Sequence, residues 1–159
     1  DVINAVKFCK KYQDSLKIDT SRIVLFGHSM GAWVCIKALE QLPTVKKGFA
    51  LSTWNIGTHY NSISPTTGRN LFMLNTTLEG LYNSVDQNKV YYNLINDNFE
   101  SFKGKRLFMI DEHKFNSPLA EAIKKSNPLS FEYLVWQTDH SFTNKRVALM
   151  NRLMEFLNW

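Results

Sequence analysis

The feature that most constrains this chain is a glycine-bracketed serine set between a buried strand and a helix. Arg22-Ile23-Val24-Leu25-Phe26 is a compact apolar run, partly β-branched and closed by Gly27, a pattern that suits a buried parallel strand. From Met30 to about Leu42 the apolar residues recur at helical spacing, until Pro43 ends the helix. Between the two lies Gly27-His28-Ser29-Met30-Gly31. A strand that becomes a helix over so short a turn holds Ser29 at a strained backbone angle. Side chains two positions before or after it would meet the neighbouring strand and helix, so glycine is expected at both Gly27 and Gly31. This turn stands the Ser29 hydroxyl at the upper edge of the sheet. The positive end of the helix lies behind it, and the Met30 N–H points to where an oxyanion would form. The strand before, the helix after and the small Ala32 beside Gly31 all argue against a chance match.

The rest of the chain repeats the alternation. Residues 2 to about 12 read as an amphipathic helix, with Val2, Ile3, Val6 and Cys9 on one side. Lys47 to Thr53, Arg106 to Ile110 and Phe131 to Trp136 read as three further strands. Pro118 to about Lys125, capped by Ser117, and Thr143 to Phe156 read as helices. Trp54 to Asn70 is rich in Asn, Ser, Thr, Gly and Pro and reads as a loop; residues 71 to 100 are irregularly helical. Four strands separated by helices imply βαβ units, a mainly parallel sheet and a three-layer α/β/α architecture. In such sheets chemistry gathers beyond the carboxyl ends of the strands.

That rule selects the remaining candidates. His140, in Thr138-Asp139-His140-Ser141-Phe142, follows the fourth strand and precedes the last helix. From there an imidazole can reach back over the sheet edge to take a proton from Ser29 and return it to a leaving group. Of the other histidines, His28 is expected to be structural and His59 to lie in the polar loop; His113 follows the third strand and could line the site, but it does not stand before the last helix. The acid should follow the third strand, where Asp111 comes first and Glu112 next. A carboxylate there would fix the imidazole tautomer and stabilise the imidazolium. Asp111 is the choice, with Glu112 as the alternative, and Asp139 is expected to serve its own turn.

At these residues the chain resembles the α/β-hydrolase family over most of its length. Ile18-Asp19-Thr20-Ser21-Arg22 followed by the strand and Gly27-His28-Ser29-Met30-Gly31 is similar to the segment leading into the serine in dienelactone-hydrolase-like and prolyl-oligopeptidase-like members. Thr138 to Phe142, with Arg146 and the terminal Leu157-Asn158-Trp159, resembles their histidine end. The resemblance implies a serine esterase or peptidase acting through an acyl-enzyme on a small ester or peptide, without metal or organic cofactor. One departure is that Lys114 stands where many relatives place the aspartate. The resemblance further implies that the early strands, and the loop giving the second oxyanion donor, lie upstream of the elbow. The chain opens at Asp1 in helical pattern and reads as cut rather than begun. Residues 1 to 159 alone are therefore expected to lack a competent oxyanion hole, at a cost of ~10²–10³ in rate. About residues 55 to 102 the resemblance places a cap-like insertion. It carries Trp54, Tyr60, Phe72, Tyr82, Tyr91 and Tyr92 at or within its bounds, which either line a pocket or tie helices to the sheet.

Composition narrows the field. With 159 residues, 44% hydrophobic and 21% charged, the chain suits one globular domain. Its formal charge is +5, but the basic residues are scattered or sit in short groups, Lys10-Lys11, Lys46-Lys47 and Lys103-Gly104-Lys105-Arg106, that read as solvated element ends, so nucleic acid is not an expected partner. Cys9 and Cys35 are expected to pack as small hydrophobes. No apolar run is long enough to span a membrane, and compartment and oligomeric state are not specified. Two other classes stay open: a non-catalytic binding module with a displaced acid, and acyl transfer to an alcohol.

Overall fold

The computed structural model describes residues 1–59, 75–126 and 131–158. Strands β1 (Val24–His28), β2 (Lys47–Leu51), β3 (Arg106–Asp111) and β4 (Phe131–Val135) form one parallel sheet in the order β1-β2-β3-β4. The helices are α1 (Val2–Lys11), α2 (Gln13–Leu16), α3 (Met30–Gln41), α4 (Ile56–His59), α5 (Leu78–Gln87), α6 (Lys89–Tyr92), α7 (Ser117–Ser126) and α8 (Arg146–Leu157). Sequential strands pair with one another, as right-handed βαβ connections favour.

The pleat divides the core in two. Leu25, Ala50, Leu107 and Met109 face a large cluster with Val6 of α1, Ala32, Cys35 and Leu39 of α3, and Ile123 of α7. Phe49, Leu51, Phe108 and Ile110 face the other way, against Phe142 and Phe156. Phe156 belongs to α8, so the sheet lies between two helical layers. Cys35 is buried, which pushes its thiol up to about 12, and it packs as an apolar group. Cys9 is half-buried and unbridged.

Several boundaries differ from the expected ones, each for a local reason. Arg22 belongs to a 3-10 turn, Thr20–Arg22, because the Asp19 side chain accepts the Ser21 amide at 3.0 Å. β1 runs on through Gly27 and His28, since His28 pairs with Leu51. β2 ends at Leu51, because Ser52 turns to φ 45°. α8 starts three residues later than expected, because Asp139 accepts the amides of Ser141 and Thr143 at 3.1 and 2.8 Å and closes a turn first. Ser117 is the first residue of α7 rather than its cap.

Two lysines expected at solvated element ends are buried instead. Lys47 Nζ donates to the carbonyls of Phe156 and Asn158 at 3.0 and 2.9 Å, and Lys105 Nζ donates to those of Leu39 and Leu42. Each cation sits on the carbonyl end of a helix, where the dipole favours it. Among the described residues no helix is long and apolar enough to cross a membrane.

Candidate active site

The parallel register brings the strand ends to one level. His28, Leu51 and Ile110 stand side by side, so Ser29, Ser52 and Asp111 are the next residues out. Ser29 links β1 to α3 at φ 58° and ψ −120°, a left-handed conformation that costs ~1–3 kcal/mol for a non-glycine residue. Its amide donates to Leu51 O at 2.9 Å, and its carbonyl accepts the amides of Ala32, Trp33 and Trp54. A Cβ on Gly27 would collide with the Gly31 carbonyl and the Ala32 amide, so glycine is sterically required there. At Gly31 a Cβ would meet nothing within 4 Å, so the steric reason expected for that glycine does not hold. Met30 opens α3, where an N–H has no intrahelical acceptor.

Ser29 and His140 line the same cavity, of about 180 Å³, with Ser52, Trp54, Glu112 and His113 among its other walls. His140 Nδ1 lies 2.8 Å from Glu112 Oε1, and the other carboxylate oxygen accepts the Ser52 hydroxyl at 2.6 Å. Burial pushes the Glu112 carboxyl up, but the bonds from Ser52 and His140 outweigh it and hold the group below its ordinary range. Glu112 is thus kept as an anion against the imidazole. With Nδ1 committed to Glu112, the ring's Nε2 is the nitrogen available for proton exchange.

Asp111, the expected acid, is placed elsewhere. It is fully buried and accepts from Thr53 N at 3.0 Å and Asn116 Nδ2 at 2.9 Å. Burial raises its pKa, opposed by hydrogen bonds from Asn116, Thr53 and Tyr133. The reason is the period of two along β3. Leu107, Met109 and then Asp111 face the α3 and α7 layer, whereas Phe108, Ile110 and then Glu112 face the layer of Phe142, two residues after His140. Asp111 therefore ties the ends of β2 and β3 together, and Glu112 meets the imidazole.

The other histidines separate as well. His113 stacks on Phe115 at 3.8 Å and lies 3.7 Å from Glu112. His28 reaches the backbone of residue 140, with Nε2 2.8 Å from its carbonyl. His59 is the last residue of α4. Ser52 was not singled out by the sequence; a serine after a strand carries no motif, and its signal is the bond to Glu112. Lys114 opens a 3-10 turn after His113.

A second, mostly apolar cavity of about 320 Å³ adjoins the first, with Trp54 in the wall of both and Met30, Ile56, Leu81, Val85 and Tyr92 around it. Of the expected aromatics, Tyr82 packs against the core and Tyr91 is exposed, while Tyr60 and Phe72 lie outside the described residues. No group of three or more His, Cys, Asp or Glu residues suited to a metal occurs among the described residues.

Comparison with known proteins adds to this geometry. The model of the family described as platelet-activating factor acetylhydrolase, isoform II, matches residues 3–117, which include Ser29, Ser52 and Glu112. A solved structure of an esterase from Pyrococcus furiosus is similar over 97% of this chain and 59% of that one, with a TM-score of 0.63 and 23% identity. That likeness speaks to the fold: the parallel sheet and its helices correspond to part of an α/β-hydrolase fold. No curated protein matches the chain.

Proposed function

The chain belongs to the platelet-activating factor acetylhydrolase isoform II family, and from that premise we propose that its protein hydrolyses carboxylic esters through an acyl-enzyme on Ser29. The observation that carries the reading is the 2.8 Å contact between His140 Nδ1 and Glu112, in a cavity that Ser29 also lines. His140 Nε2 takes the Ser29 proton as Oγ attacks the ester carbonyl. The resulting oxyanion is met by the Met30 amide, and the proton then passes to the departing alkoxide. Water, deprotonated by the same nitrogen, releases the acid. Glu112 rather than Asp111 holds the imidazole and stabilises its cation.

The adjoining apolar cavity supports a substrate whose acyl or alkyl chain is longer than a methyl group, lying between Trp54 and α5. On this reading Ile56 and side chains between Thr76 and Tyr92 supply much of that wall, and the strand ends supply the chemistry. No metal or organic cofactor enters the scheme. The family match favours an ester over a peptide and an enzyme over a silent relative.

The test is labelling of the full-length protein with a fluorophosphonate. Adduct is expected on Ser29 in the wild type and on no residue in Ser29→Ala. Folded wild-type protein that takes no label and leaves 4-nitrophenyl esters intact sinks the proposal.

A further inference from the structure

We infer that His28 is a positioning residue: its Nε2–H donates to the backbone carbonyl of His140 and fixes the base relative to Ser29. The inference rests on the acyl-enzyme reading above. The turn that carries His140 is closed mainly on itself, through Asp139 to the amides of Ser141 and Thr143 and through Thr138 Oγ1 to Asn144 at 2.6 Å. Such bonds shape the turn; Phe142, buried against β2 and β3, docks it on the sheet but lies two residues past His140. Glu112 holds the ring of His140. The bond of 2.8 Å to His28 holds its backbone, across a separation of 112 residues.

Three further observations agree. A carbonyl oxygen only accepts, so His28 Nε2 must carry the hydrogen, and the contact selects one tautomer. The two imidazoles lie with centroids 4.7 Å apart at 46°, and the His28 ring also meets the edge of Phe142 at 6.5 Å. His28 is the last residue of β1 and pairs with Leu51, so its backbone is fixed by the sheet. The residue that adjoins the nucleophile in the chain thus holds the base, and one strand end sets the spacing of both. A catalytic group displaced by about 1 Å can cost ~10²-fold in rate.

The experiment compares His28→Phe and His28→Gln with wild type in the full-length protein, using 4-nitrophenyl butyrate. Phenylalanine keeps a ring but has no donor; glutamine places an amide N–H near the position of Nε2. We expect kcat to fall ~10–10²-fold in His28→Phe with KM within about twofold, and His28→Gln to recover most of it. Nitrogen-15 NMR of the wild type should show His28 with its hydrogen on Nε2. His28→Phe turning over like an active wild type overturns the inference, as does a hydrogen on Nδ1. Wild type that is inactive and unlabelled at Ser29 sinks the acyl-enzyme reading instead, and the NMR tautomer still decides the contact.

Discussion

On the proposed mechanism, exchanging the two adjacent acids should separate catalysis from structure. In Glu112→Gln the side chain keeps its length but loses the charge that faces His140 Nδ1 at 2.8 Å. With charge centres ~4 Å apart and an effective dielectric constant of ~20, the imidazolium loses about 4 kcal/mol of stabilisation. That corresponds to ~10³-fold in rate, and scrambling of the imidazole tautomer raises the loss toward ~10⁴-fold. Asp111→Asn acts on different bonds. Its new amide group would face the Asn116 Nδ2 donor, which now bonds the carboxylate at 2.9 Å in a site closed to solvent. A buried donor left unpaired costs ~1–3 kcal/mol, and the loss falls on stability. Steady-state hydrolysis of a 4-nitrophenyl ester, normalised to folded protein, together with thermal melts, reads both effects. Glu112→Gln should lose kcat with KM little changed. Asp111→Asn should melt earlier and keep its turnover per folded molecule. A ~10³-fold loss in Asp111→Asn beside a near-normal Glu112→Gln would refute the assignment.

Further outcomes follow from the same structure. Gly27→Ala should fail to fold or melt far below wild type, because its Cβ collides with the backbone of Gly31 and Ala32, whereas Gly31→Ala should keep the wild-type melt within a few degrees. Leu81→Trp should narrow the apolar cavity, so the ratio of octanoate to acetate ester hydrolysis should drop while acetate turnover persists; an unchanged ratio removes that cavity from the substrate path. Glu112 is held below its ordinary value of 4.5, so the stability it contributes is present above that pH and is lost as pH falls through its lower folded value. Acid unfolding curves of wild type and Glu112→Gln should therefore coincide at low pH, separate as pH rises from the lowered folded value toward 4.5, and run parallel above it.

The layered fold was legible because its signals are local. The Arg22 to Phe26 run, the bracketed Ser29 and the helical stripe that begins at Met30 each specify their own element, and the position after each strand end pointed to the site. Which carboxylate meets His140 was harder to read because adjacent residues on a strand face opposite layers. Counting alternation along Leu107, Phe108, Met109 and Ile110 places Asp111 with Met109 and Glu112 with Ile110. The choice between them then depends on which helix covers which face, a non-local fact. Ser52 and His28 were illegible for the same reason. Each contacts its partner across strands or across 112 residues of chain, and no spacing in the sequence reveals that partner. The lysines misled in the opposite sense: Lys47 and Lys105 look like surface charges until helix ends are seen to close over them.

Those two lysines divide labour along the sheet. At the strand starts, buried ammonium groups clamp the carbonyl ends of α3 and α8. At the strand finishes, Ser29 and Ser52 sit in left-handed backbone. Rigidity is concentrated at one rim and conformational tension at the other. Mutational gains in robustness should therefore come from the clamped rim, where tightening a helix end leaves Ser29 and the His140 imidazole, the proposed reactive pair, undisturbed.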